Sequence, residues 1–471
     1  MNLHIDRRHL LAFVGLALLS APIARAGEVQ PLMGQPVDGL TPAQLDRFVK
    51  GSTAFSKIFQ NATGLGPAFN DQSCVNCHAQ PDPGGFSDRA VTRFGKQASG
   101  GNPFDPLASL GGTLLQKDAI SPTCQEFVPP QADVTAKRVT PQTFGAGLAQ
   151  AVDDADILQL QNSPPSPNVS GIARIVQPLE GGPLRVAKFG WKAGVATMLS
   201  FSGDASLNEM GITNRLVGTE NAPNGDLAKL AMCDTVADPE DGPDAQGFDA
   251  IDRMDDFQRF LAPPPQMPKS GMTGEAWFVT VGCADCHIDA PFVTTAQAET
   301  ALSGKSIKPY TDFLLHDMGT LGDGIVDGIA TEREMKTSAL WGVSARAAVG
   351  LLHDGRATGG TAEQNLVSAI QSHDGEAAAS RAAYNTLATN NPAAAAQLLA
   401  FLMSLGRAEF DMQGDNDRDE FDYFFWFGGM TGPVGAVTPD DAAAVGDSDG
   451  DGDLDMADFG RFQRSFTGAI H

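Results

Sequence analysis

At 471 residues the chain has room for about three domains of roughly 150 residues each, large enough to bury sizeable cores. Its formal charge of −25 excludes nucleic acid as a natural partner. The acidity is uneven, because residues 411 to 471 hold 14 acidic and 3 basic side chains, which sets the tail apart as a separate acidic module.

Taken from the start, Arg7 and Arg8 precede the apolar run Leu10 to Leu19, and Ala24-Arg25-Ala26 offers a small-x-small cleavage site. Residues 1–26 therefore read as a signal peptide. The run is too short to span a membrane, and no later stretch is long and apolar enough to be a transmembrane anchor. The expected location is exported: periplasmic, cell-surface or extracellular. Thr41-Pro42-Ala43-Gln44 then predicts a helix start, with Thr41 as N-cap, Pro42 in the first turn and Gln44 closing a capping box. Leu45, Phe48, Val49 and Phe55 supply its apolar face.

Cys74-Val75-Asn76-Cys77-His78 follows, and Cys283-Ala284-Asp285-Cys286-His287 repeats the pattern. Two thiols three positions apart with a histidine directly behind them form the attachment signal for c-type haem. The thiols add to the vinyl groups and the imidazole ligates the iron. Structural zinc would need both pairs on one metal and has no use for the trailing histidines. The expected cofactors include two covalently bound haem c groups. The two remaining cysteines, Cys124 and Cys233, are either a disulfide or a pair of buried free thiols.

Residues 90 to 265 are rich in Gly and Pro, and the expectation there is short helices and loops rather than a sheet. Leu148 to Leu160 and Asp255 to Leu261 have helical spacing, and Pro263-Pro264-Pro265 is the candidate interdomain linker. Helices are expected over Gly274 to Val281 and over Pro392 to Leu405, the latter with Asn391 as N-cap. The fold class read from these elements is mainly α. Its parts are a c-type haem domain over 27–265, a second over 266–408, both with long loops, and a small module over 409–471.

Between His78 and His287 there is no histidine. The first haem is thus expected to keep an open sixth position unless Met198, Met210 or a lysine fills it. The second has His316, Met318, His353 and His373 downstream, so a six-coordinate iron suited to electron transfer is expected there. An open haem binds small oxidants, and one reactive and one relaying haem is the functional skeleton.

The tail repeats with a period of 36. Asp447, Asp449, Asp451, Asp455 and Asp458 stand at loop positions 1, 3, 5, 9 and 12, with Asp453 at position 7, where the carbonyl ligates. Asp411, Gln413, Asp415, Asp417, Asp419 and Asp422 align with them without a gap. Ca2+ is the expected cation, and a solvated acidic tail is the alternative.

Several segments together carry a family resemblance: Gly66-Pro67-Ala68-Phe69-Asn70, Phe189-Gly190-Trp191-Lys192-Ala193, Glu209-Met210-Gly211-Ile212-Thr213, Pro309-Tyr310-Thr311-Asp312 running on to Met318, and Leu352-His353-Asp354-Gly355-Arg356. Residues 50 to 407 resemble the bacterial di-haem oxidoreductases, which are related to di-haem cytochrome c peroxidases. The resemblance implies two cytochrome domains, Glu209 as the carboxylate that moves a peroxide proton, Trp191 as an electron relay between the haems, and His373 as distal ligand of the second. It also implies peroxide or another small oxidant as substrate and an external electron-donor protein. A protein-modifying di-haem oxidase and a plain electron carrier are the rival readings. The tail resembles a type I dockerin, departing at Gln413 and Asn416, which implies a cohesin-like or surface partner.

Overall fold

The computed structural model describes residues 29–101 and 103–468; the expected signal peptide lies outside them. The helix Pro42–Phe55 has the predicted cap, with the Thr41 hydroxyl and Gln44 side chain satisfying each other's backbone amides. Of its expected apolar face, Phe48 and Phe55 pack on the helix Ala250–Phe260, with Phe257 meeting Phe48 at 5.2 Å and Phe55 at 5.0 Å between ring centres, whereas Leu45 and Val49 are exposed. A charge pair between Arg47 and Asp256 borders that contact. With the helix Met198–Met210, these form the core behind the first Cys-x-x-Cys-His segment.

A second core lies behind the other segment. The helix Thr273–Thr280 crosses Pro392–Ser404, with Phe278, Tyr310 and Phe401 in mutual edge contact. Gly274 makes the crossing possible, since a Cβ there would stand 2.0 Å from the Gln397 carbonyl oxygen. Asn391 caps Pro392–Ser404 as expected. The stretch expected to be helical from 148 to 160 is two short helices, Ala146–Gln150 and Asp154–Asn162, because Ala151 turns its carbonyl out to the amide and hydroxyl of Thr295. Pro264 and Pro265 are buried, so the proline run is packed rather than a free tether. Cys124 and Cys233 form a disulfide, the first of the two alternatives.

The mainly α expectation is wrong. Helix accounts for 37% and strand for 12%, a mixed α/β composition. Ala90–Gly95 is the centre of a three-stranded antiparallel sheet, flanked by Leu114–Leu115 and by Val134–Val139, with Ala90 opposite Val139 and Gly95 opposite Val134. Four two-stranded ladders complete the strands among the described residues. The signal was there in Val91, Thr92, Val134 and Thr135, but each strand is six residues long, and its partner lies about 40 residues away across Gly- and Pro-rich chain.

A free-standing dockerin-like module is also absent from the described residues. The helices Glu420–Gly428 and Met456–Ser465 share a small core of Phe410, Trp426, Leu454 and Phe462. That core is tied to the body by polar side chains. Asn416 accepts from the Met33 amide at 2.9 Å and donates to the Met33 carbonyl and Asp82, while Arg418 donates to the carbonyls of Gln30 and Glu409. No helix among the described residues is long and apolar enough to cross a membrane.

Candidate functional site

Each Cys-x-x-Cys-His segment closes one helical turn: the amide of His78 donates to the Cys74 carbonyl and that of His287 to the Cys283 carbonyl, both at 3.0 Å. The four thiols are free and half-buried. Burial pushes Cys74 and Cys283 up to about 12 and Cys77 to about 11, so all three stay protonated. The two imidazoles are held alike. His78 Nδ1 lies 3.0 Å from the Gly85 carbonyl and His287 Nδ1 3.0 Å from the Tyr310 carbonyl. Such a bond places the ring proton on Nδ1 and leaves Nε2 as a metal ligand. Desolvation pushes both down to about 4, so both are neutral.

Both histidines line one largely apolar cavity of about 340 Å3. Among its walls is Arg346, whose buried Nη2 has no hydrogen-bond partner although Nε and Nη1 are taken by the carbonyls of Gly350 and Thr140. A buried guanidinium nitrogen left over in an apolar chamber that both imidazoles line fits a flat apolar macrocycle that carries carboxylates.

Trp191 also lines this cavity. Its indole N–H donates to the Val139 carbonyl at 2.8 Å, and the ring meets His353 edge-on at 6.3 Å. The carbonyl of His353 accepts from the Val139 amide, so the two rings are pinned to the same sheet edge. His373 caps the helix Ala362–Ser372, gives Nδ1 to the Ala369 carbonyl at 2.8 Å, and turns the rest of the ring to the cavity wall, close enough for its charge to act on His287.

His316 is no candidate for a ligand. Its Nε2 is bonded to Asp312 and its Nδ1 to Glu376, both at 2.8 Å, and despite burial these carboxylates push it up to about 12. It is a buried cation clamped between two anions. Asp312 could have been suspected from its four-residue spacing to His316, but Glu376, 60 residues further on, left no sequence signal.

On the first side, the other candidates sort themselves. Lys188 is held by Asp154 at 2.6 Å, and Lys192 by Asp323 at 3.0 Å and by two carbonyls. Met210 lies in the hydrophobic core, and Met198 reaches the cavity wall. Glu209 is not on that wall. It shares a helix face with Phe201, which is, but sits two turns further along. Asn70 donates its side-chain amide to Glu209 Oε2 at 2.8 Å and its backbone amide to the Glu209 carbonyl at 2.7 Å. The carboxyl therefore lies against the segment that leads into Cys74, and burial pushes it above its ordinary value, opposed by Arg93.

In the tail the two loops are built the same way. Asp411 Oδ1 gathers the amides of Gly414 and Asp415, and Asp447 Oδ1 those of Gly450 and Asp451. Asp422 Oδ1 accepts from the Met412 amide and Asp458 Oδ1 from that of Ser448, while Asp419 and Asp455 cap the following helices. Carboxylates converge at Asp411, Asp415 and Asp422, at Asp417, Asp419 and Asp422, and at Asp447, Asp449 and Asp458. Burial pushes Asp422 up to about 7 and Asp411 to about 6, with neighbouring carboxylates adding to it. Asp453 Oδ1 is buried without a hydrogen bond. Gln413 departs, giving its amide to Asp415 at 2.6 Å, and Asn416 stands at φ +69°, where Gly450 and Gly452 of the second loop are also left-handed.

A family model described as "Di-haem oxidoreductase, putative peroxidase" matches residues 128–405. The match contains Trp191, Glu209, the second Cys-x-x-Cys-His segment and His373; it begins after the first segment and ends before the tail. No curated protein matches the chain.

Proposed function

The chain belongs to the di-haem oxidoreductase family, and we propose that it is an exported peroxidase. In this reading Cys74 and Cys77 hold one haem c covalently and Cys283 and Cys286 the other, with His78 and His287 as proximal ligands. The observation that carries it is the inequality of the two ends of one cavity. His287 has a second imidazole, His373, within electrostatic reach, whereas the groups acting on His78 are carbonyls and Arg346, with no imidazole among them.

A bound haem would supply an iron that exchanges single electrons and can react with a small oxidant. The chain does the rest. His373 holds its Nε2 toward the second end and reserves that end for electron transfer. Trp191, fixed by its bond to the Val139 carbonyl, lines the cavity that both histidines line and serves as the relay. Glu209 keeps a proton at higher pH than an exposed carboxyl would; Asn70 occupies Oε2, so Oε1 is the oxygen that carries and releases it. An external electron-donor protein is the partner this chemistry requires. The two tail loops take Ca2+, each through a ring of carboxylates whose mutual repulsion the cation relieves.

Electron paramagnetic resonance of the diferric protein, with a steady-state peroxide assay, tests the reading. One high-spin and one low-spin signal with donor-dependent peroxide loss are expected. Two low-spin signals without turnover would leave an electron carrier instead.

A further inference from the structure

Away from both ends of the cavity, Glu220, Asp238 and Glu240 bring one carboxylate oxygen each to within 4.8 Å of the others. Asp238 and Glu240 meet at Thr213, in the loop that leaves the helix Met198–Met210. The Thr213 amide donates to Glu240 Oε2 at 2.7 Å, and its hydroxyl lies against both Glu240 Oε2 and Asp238 Oδ1. A hydroxyl has a single proton to offer two carboxylates, so one of these contacts sets oxygen lone pairs against each other.

Glu220 adds an independent reason to look for a cation. It is 8% exposed, its Oε1 takes only the Asn221 amide at 3.3 Å, and its Oε2 has no hydrogen-bond partner. The charges that act on it are those of Glu240, Asp238 and Asp234, all negative, with no Lys or Arg among them. A carboxyl buried with an idle oxygen and only other carboxyl groups acting on it lacks a counter-charge in its ionised form.

We propose that Glu220, Asp238 and Glu240 form a binding site for a hard divalent cation, calcium, distinct from the tail loops. The donors are all oxygen, and the nearby Cys233 is committed to its disulfide, which disfavours zinc and copper. The ligands come from separate loop segments, with Asp238 exposed and Glu240 half-buried. Irregular geometry with room for water suits calcium better than the strict octahedron of magnesium. The ion joins residues 238–240, just after the Cys124–Cys233 bridge, to Glu220 and to the turn following Glu209.

The test is equilibrium dialysis of the full-length haem-loaded protein against Ca2+, comparing the parent with Glu220→Gln/Asp238→Asn. The variant is expected to bind one Ca2+ per chain fewer, with the tail unchanged in both; equal numbers would overturn the site in favour of a shared proton. Parent crystals soaked in Tb3+ give a readout that needs no variant to fold. Anomalous density between the three carboxylates is expected, and density at the tail loops alone would overturn the proposal.

Discussion

The segments ending in His78 and His287 are built alike and surrounded differently. Both close one turn, both turn Nδ1 into a backbone carbonyl at 3.0 Å, and both imidazoles are kept neutral by burial. Around His287 stand His373 and the charged clamp Asp312–His316–Glu376, whereas Arg346 and backbone carbonyls act on His78. The local geometry is thus common to both segments. In the proposed function, what would separate a reacting end from a relaying one is the side chain presented near each of these imidazoles.

That contrast can be broken experimentally. The largest effect is expected from Glu209→Gln, which should lower peroxide turnover by about 10²–10⁴-fold while leaving both ferric resonance signals in place. A variant with normal turnover would remove Glu209 from the chemistry. His373→Ala should erase the difference between the ends: the low-spin signal disappears and turnover with the physiological donor falls about 10-fold or more.

His316→Gln should cost about 3–5 kcal/mol in chemical denaturation, because Asp312 and Glu376 then face each other without their cation. The sign of its pH dependence follows from both partners. The raised His316 contributes fully below its ordinary 6.5, and its contribution fades as pH climbs toward about 12. The lowered Glu376 contributes above its ordinary 4.5 and is lost as pH falls toward about 2. The parent's advantage over His316→Gln should therefore peak between 4.5 and 6.5. Gly274→Ala should destabilise the second core by about 1–3 kcal/mol, read as a lower melting temperature, with both spectra intact. The smallest effect is expected from Met198→Leu, which should leave the high-spin signal of the first end as it is; a change of spin state would make Met198 a ligand and dissolve the contrast.

Much of this was legible in order along the chain. The two Cys-x-x-Cys-His segments, the Thr41–Gln44 cap, the Asn391–Pro392 helix start and each carboxylate loop of the tail all depend on residues within a dozen positions of each other, where local sterics and hydrogen bonds act before any fold exists. The disulfide narrowed to one pair once the other four cysteines were assigned, although only the fold decided between bridge and free thiols. Gln413 and Asn416 read as defects in a calcium loop. In the fold Asn416 is the residue that docks the tail, through Met33 and Asp82 at sequence separations of 383 and 334.

By itself, the sequence determined the two Cys-x-x-Cys-His segments, the scarcity of histidines after His78 and the spacing of tail carboxylates, since these are properties of covalent order. Only the tertiary structure decided that strands 90–95 and 134–139 pair, that His316 is spent on Asp312 and Glu376, that Glu209 stands off the cavity wall, and that Glu220 lies buried among anions. Each of these rests on a partner brought from far along the chain. The free energy of such pairings comes from burial and charge in the assembled fold, where neighbours in sequence carry no record of them.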